Sequence, residues 1–176
     1  MALKFRRHGT ERDLGQFARV MANIIDALSH EFSGHSSLPW PVLMFRIIGA
    51  VVLTSVIGFE RESNDQAAGL RTHMLVGLSS ACYCLLALDL VGQDFGDNVR
   101  LDPIRMIEAV TGGVAFLAAG LIVFTRGEVK GLTTGASLWL AAAIGTAAGL
   151  GVWLIAVLAT ALAIFIIGLL KSIERF

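Results

Sequence analysis

Four ionisable side chains interrupt otherwise apolar stretches of this sequence: Arg46, Asp89, Arg105 and Glu108. Each would cost roughly 2.5–3.5 kcal/mol at the centre of a membrane helix, so such groups are kept only where they pair, line a polar space or reach an interface. A second set crowds into GFERESNDQAAGLRTH (58–73), where Glu60, Arg61, Glu62, Arg71, Thr72 and His73 stand between two apolar runs. The first set suggests charge compensation inside a bilayer, the second a polar rim at its edge.

Within the first set, two cations and two anions fall at similar depth near one end of their runs. Arg105 and Glu108 share a helix face with Thr111, Ala115 and Ala119. Three readings stand: ion pairs that clamp a bundle, a polar cavity or ion pathway, and snorkelling of shallow residues.

The rim set gains partners from later sequence. Arg71, Thr72 and His73 open one apolar run, Arg126, Glu128 and Lys130 lie in a loop, and Thr133 and Thr134 open another run. Helix N-termini carry partial positive charge, so this end suits an anion or the carboxylates of Glu60 and Glu62. An internal network of Glu60, Glu62, Arg71 and Lys130 is one reading, with Glu60 expected on Arg71. A phosphate or lipid headgroup site is the other. His73 would titrate near neutral pH if exposed, or serve as amphipathic filler at the interface.

Other chemistry finds little support. Asp94, Asp97 and Asp102, near Asp89 and Asn98, are oxygen donors of the kind hard cations take, but their spacing matches no calcium-loop motif. Cys82 and Cys84 are two apart, on nearly opposite helix faces, so neither a disulfide nor a shared metal is expected. No Ser/His/Asp set, phosphate-binding glycine loop or catalytic carboxylate pair is present. The expectation is a protein that is not an enzyme, takes no cofactor and binds no nucleic acid.

The elements that must position these residues are membrane spans. Of 176 residues, 55% are hydrophobic and only 16% charged, against roughly 25% charged in soluble domains. The apolar residues fall into blocks near the roughly 20 residues needed to cross a bilayer: 41–59, 72–91, 103–124, 132–151 and 152–170. Gly145, Gly149 and Gly151 cluster where a tight turn would divide the last two, giving five helices rather than four and a broken fifth. Long runs without period-two alternation favour helices over a barrel. The fold class expected is an all-α polytopic membrane bundle. Glycine pairs in GLTTG (131–135) and GTAAG (145–149) read as helix contact faces. Trp40 and Trp153 fall at span ends as an aromatic belt would place them, and Trp139, deeper, should face a neighbouring helix or subunit.

Ahead of the bundle, no cleavable signal is expected. Leu14, Phe17, Met21, Ile24, Leu28 and Phe32 form one helical stripe, with Thr10 and Asp13 at the positions of an N-cap and its N3 partner and Gly34 as a stop. This predicts an interfacial amphipathic helix, or one packed on a second subunit. The organisation is then a leader (1–40), a transmembrane domain (41–170) and a short cytoplasmic tail (171–176). Arg61, Arg71, Arg126, Lys130, Lys171 and Arg175 share one side, whereas the loops of the other carry Arg100 with Asp94, Asp97 and Asp102. The loop-charge rule then sets the N-terminus outside and the C-terminus in the cytoplasm, against the basic residues of the leader.

GFERE with AGLRTH and LVG resembles the first signature of the MgtC/SapB family of bacterial inner-membrane proteins. DPIR (102–105), VAFLAAGLI (114–122), RGEVKGLTTGASLWLAAAIG (126–145) and GLG (149–151) follow in the family's order, so the resemblance covers residues 41–170. Departures are Ala115 and Ala118 for family glycines, and Ala109, beside Glu108, for a family glutamine. Some members carry a soluble C-terminal domain, which is not expected here. The resemblance implies a non-enzymatic membrane protein, regulatory or accessory in magnesium limitation, acid stress and virulence. Its implied partners are the lipid bilayer and, for some relatives, the membrane part of the ATP synthase; a homo-oligomer, with a dimer favoured, is expected. A small oligomeric ion or solute transporter is the alternative. The resemblance also marks the loop and rim residues Glu60, Arg61, Glu62, Gly69, Arg71, Thr72, His73, Lys130 and Thr133 as functional.

Overall fold

The structure is a computed structural model that describes residues 5–32, 37–92, 102–125 and 128–174. It separates into two units, residues 1–36 and 37–176. The first contains α1 (Phe5–Phe32). Its apolar stripe is open within the unit, where Phe17, Met21, Ile24 and Leu28 are exposed. The helix begins ahead of Thr10, the expected cap, because extending an existing helix fixes one residue per new hydrogen bond and nothing in 5–9 forbids it.

The second unit holds five helices: α2 (Trp40–Glu62), α3 (Leu70–Val91), α4 (Pro103–Leu121), α5 (Leu132–Leu150) and α6 (Trp153–Glu174). Among the described residues, α2 to α5 are long and apolar enough to cross a membrane, and α6 adds the apolar stretch Trp153–Leu169. The chain is an all-α polytopic membrane bundle.

Its local starts and stops follow from sequence. Proline at the first turn of α2 and α4 occupies a position where no N–H is needed. The Asp102 carboxylate caps α4 by accepting from the Ile104 N–H at 2.9 Å. Gly151 takes the left-handed conformation (φ 80°) that separates α5 from α6, as the five-helix reading requires. Gly145 and Gly149 do not form that turn; they lie within α5. The third span is shorter than expected. Helix α4 ends at Leu121, and β1 (Val123–Thr125) pairs antiparallel with β2 (Glu128–Lys130), Val123 opposite Lys130 and Thr125 opposite Glu128. The β-branched Ile122 and Val123, followed by Phe124 and Thr125, favour extended backbone over a further helical turn.

Helix α5 is central, packed against α2, α3, α4 and α6. Its small residues make this possible. A Cβ on Gly145 would run into the carbonyl oxygen of Gly77 on α3, and one on Gly149 would stand 2.8 Å from Ala81 O. Helices α3 and α5 thus run side by side at backbone contact, with Thr54 of α2 seated against Gly77. Ala50, Ile57, Ala81, Ile144 and Ala148 are fully buried around this contact. Within this unit Trp139 is half exposed, while Trp153 packs against Phe45 with ring centroids 4.7 Å apart and the rings tilted by 52°.

Candidate functional site

The signature residues meet where α2 hands the chain to α3. Helix α2 ends with the Ser63 N–H on Phe59 O, and Asn64 to Gly69 return the chain. Glu62 then reaches across that loop, its Oε2 accepting from the Leu70 N–H at 2.7 Å, so it caps α3 from eight residues upstream. A carboxylate there satisfies one orphan donor and complements the helix dipole. Gly69 is required by the contact: a Cβ at Gly69 would lie 2.7 Å from that same carboxylate oxygen. Gly58 acts similarly on the other side, where a Cβ would lie 2.8 Å from Leu70 Cα and 2.9 Å from His73 Cβ. GFERE and AGLRTH are two halves of one joint.

His73 locks that joint to α5. It is fully buried, which corrects the expectation of an exposed titrating group or interface filler. Its Nδ1 lies 2.9 Å from Gly69 O, and because a carbonyl only accepts, Nδ1 carries a proton. Its Nε2 lies 3.1 Å from Ser137 Oγ, which lies 2.8 Å from Thr134 O, so the single hydroxyl proton of Ser137 serves either Nε2 or Thr134 O. Gly131 (φ 89°) begins α5 at this end, so the KGLTTGAS segment (130–137) brings Ser137 to His73, with Thr134 one turn back along α5.

Beside the joint, a cavity of about 550 Å³ opens among α2, the loop, α5 and α6. Its walls are polar at Glu60, Arg61, Asn64 and Gln66 and apolar at Leu140 and Ile167. Glu60 Oε1 accepts from Asn64 Nδ2 at 2.7 Å. Glu60 Oε2 and Arg61 Nε are both buried and 3.6 Å apart, too far for a hydrogen bond, and neither has another partner among the described residues. They attract as charges while their hydrogen-bonding capacity stays unused.

The remaining rim residues are placed differently from expectation. Arg71 is exposed and has no salt bridge among the described residues, so the partners of Glu60 are Arg61 and Asn64 rather than Arg71. Lys130 is exposed on β2, Thr133 lines the cavity, and Thr72 is partly buried. Arg126 lies outside the described residues.

At the opposite end of the bundle, Arg46 Nη1 donates to Gly149 O at 2.9 Å and the guanidinium lies against Gly151, satisfying the C-terminus of α5. Asp89 accepts from the Ser37 N–H at 2.6 Å and from the Ser37 hydroxyl at 3.0 Å. Arg105 and Glu108 are exposed on α4 without a salt bridge among the described residues. The structure therefore gives Arg46 a backbone partner in place of Glu108. Of the oxygen-donor candidates, Asp102 is engaged as a cap, and Asp94 and Asp97 lie outside the described residues. Cys84 is buried and Cys82 partly so, and both are free thiols.

Sequence reasoning passed over Asn64 and Ser137. Asn64 carried a signal, standing four residues after Glu60 on the same helix face. Ser137 carried none.

Residues 47–176 match the family model described as the MgtC family. Over 106 residues the chain is 39% identical to YhiD of Escherichia coli K12, by its name a candidate magnesium transporter, covering 58% of this chain and 48% of that one. It is 38% identical over 99 residues to the protein MgtC of Brucella abortus, covering 56% and 39%. With the protein SrpB of Synechococcus elongatus it shares 34% over 114 residues, covering 60% and 62%. The chain spans about half the length of the Escherichia coli relative it matches. No solved structure matches. With the family model covering the bundle from α2 onward, this multi-pass membrane protein belongs to the MgtC family.

Proposed function

We propose that the protein is a non-enzymatic factor of the bacterial inner membrane, regulatory or accessory in adaptation to magnesium limitation, and that the Glu60–Arg61 cavity is its working site. The observation that carries this reading is the unused hydrogen-bonding capacity of Glu60 Oε2 and Arg61 Nε at the cavity wall. The name of the Escherichia coli relative supports the link to magnesium. The close packing of the bundle centre, where α3 and α5 meet at backbone contact among alanine and isoleucine side chains, supports a regulatory rather than a conducting role for a single chain. The cavity end carries Arg61, Arg71 and Lys130 and, by the loop-charge rule, faces the cytoplasm. Acid stress and virulence adaptation belong to the same reading.

The test pairs growth with flux. Glu60→Gln, correctly inserted, should lose rescue of growth in low magnesium, while wild-type protein in liposomes passes no more magnesium, protons or potassium than protein-free vesicles. Magnesium flux through the wild type that Glu60→Gln abolishes would establish the transporter reading instead; normal rescue by the variant would remove the cavity from function.

A further inference from the structure

The cavity beside the α2–α3 joint is graded along the bundle. Glu60, Arg61, Asn64 and Gln66 line it at the joint, while Leu140 of α5 and Ala163 and Ile167 of α6 line it deeper. On α5 the lining runs from Thr133 to Leu140, a rise of roughly 10 Å at about 1.5 Å per residue. The α6 residues belong to the apolar stretch Trp153–Leu169. Polar groups at the end of a span with aliphatic groups beneath them repeat the order of a bilayer, headgroup first and hydrocarbon below. The cavity also reaches the outside of the bundle, since Ala136 and Ile166 line it and are exposed.

Its charged wall restricts the occupant. Glu60 Oε2 has no hydrogen-bond donor and Arg61 Nε no acceptor among the described residues, and the two stand 3.6 Å apart. One molecule serves both only by presenting a donor and an acceptor side by side. An anion alone would suit Arg61 and set its charge against Glu60, and a cation alone would do the reverse. A primary ammonium a few bonds from a phosphate serves both, with N–H groups for the carboxylate and oxygens for the guanidinium, and its zero net charge leaves the pair balanced. A quaternary ammonium has no N–H to give. Arg71 and Lys130, the cations from which the sequence suggests an anion site, do not line this cavity.

We propose that the cavity holds a phospholipid with a primary-amine headgroup of the ethanolamine type, drawn from the leaflet at this end of the bundle. Its ammonium meets Glu60 Oε2, its phosphate meets Arg61 Nε, and one acyl chain lies along Leu140, Ala163 and Ile166. The aliphatic half of the cavity selects a lipid over a soluble zwitterion, which would leave Leu140 and Ile167 uncovered. A volume of about 550 Å³ takes the headgroup and the upper part of one chain, and the remainder passes into the bilayer beside the exposed Ile166. This assignment of an occupant rests on the reading that the Glu60–Arg61 cavity is the working site.

The experiment is native mass spectrometry of the full chain released from detergent and titrated with phospholipids that share their acyl chains and differ in headgroup: ethanolamine, choline and glycerol. The wild type should hold the ethanolamine lipid about tenfold or more tightly than the other two, because the choline lipid lacks the N–H donors and the glycerol lipid the cation. Glycerophosphoethanolamine, the headgroup without chains, should bind far more weakly than the lipid. Glu60→Gln should erase the preference for ethanolamine over choline, and Arg61→Gln should weaken all three. Arg71→Gln, which removes an exposed cation outside the cavity, should leave the preference intact. Equal binding of the three lipids by the wild type, a preference for the glycerol lipid, a headgroup that binds as well alone as in the lipid, or an ethanolamine preference that survives Glu60→Gln would each overturn the proposal. The wild-type comparison needs no variant, so a substitution that prevents folding does not decide the outcome. Growth in low magnesium separates the occupant from the site: loss of rescue by Glu60→Gln with no headgroup preference in the wild type keeps the cavity and removes the lipid, whereas a headgroup preference with normal rescue keeps the lipid and removes the cavity from function.

Discussion

Gly145→Ala adds a single methyl group at the closest helix contact in the bundle. Its Cβ would stand 2.9 Å from Gly77 Cα, 3.0 Å from the Gly77 carbonyl carbon, and nearer still to the carbonyl oxygen. Carbon atoms rest about 3.5–4.0 Å apart, so α3 and α5 must separate by roughly 0.5–1 Å. A gap of that size forfeits a quarter to a half of each dispersion contact along the seam. Overpacking typically costs ~1–3 kcal/mol, and this site belongs at the upper end because both neighbours are backbone and no rotamer can yield. Thermal unfolding in detergent should fall by roughly 5–10 °C. Gly168→Ala is the control: it lies in α6 with nothing within 4 Å of its Cβ, so only the helix-propensity gain of up to ~1 kcal/mol acts there. Gly77→Ala should destabilise too, but Thr54→Ala should partly relieve it, because the obstruction at Gly77 is the Thr54 side chain. If Gly145→Ala melts with Gly168→Ala, the backbone contact between α3 and α5 is not there.

Three further outcomes are expected. Glu62→Ala should cost ~1 kcal/mol through loss of the α3 cap, and Gly69→Ala, which pushes the same carboxylate away, should add little on top; additive losses in a denaturant titration would show that the two do not meet. His73→Ala and Ser137→Ala should couple by ~0.5–3 kcal/mol in a double-mutant cycle, whereas independent effects would remove their hydrogen bond. Arg46→Met should destabilise by leaving Gly149 O unsatisfied, and its effect should add to that of Glu108→Gln within about 0.5 kcal/mol; strong coupling would return Glu108 to Arg46.

Helix number and type were legible because lipid allows so few solutions. Blocks of apolar residues near bilayer length must satisfy their own backbone, and only a helix does that within one segment. The Gly151 break was legible for the same reason: a chain leaving one helix and at once entering another needs a residue tolerant of positive φ. The end of α4 was not legible. Ile122, Val123 and Phe124 are as apolar as the helix before them; β-branching weakens a further helical turn, and the pairing of Val123 to Thr125 with Glu128 to Lys130 fixes the extended backbone. Hydropathy carries no record of that pairing.

For the site, the sequence marked the segment that the structure folds into the α2–α3 joint, but assigned its charges by proximity of sign, and geometry rearranged them. Arg71 and Glu60 are opposite in charge, yet the turn begun at Ser63 places Asn64 nearer and leaves Arg71 exposed. His73, polar and at a span's edge, suggested an interface; its burial follows from the bare surface of Gly58, which lets α3 close over it. Most of the signature is thereby consumed by architecture. Gly58 and Gly69 permit close approach, Glu62 caps a helix, and His73 ties Gly69 to Ser137. A membrane joint needs each of these, since a buried polar group without a partner is costly where water is scarce. Within the signature, Glu60 Oε2 and Arg61 Nε are buried side by side at a cavity wall with no hydrogen bond between them, as Ser80 Oγ on α3 is also buried without a hydrogen-bond partner among the described residues. Glu60 also holds Asn64 of the loop through its other carboxylate oxygen, and under the proposed function the unused capacity of Oε2 and Arg61 Nε is what the cavity offers an occupant.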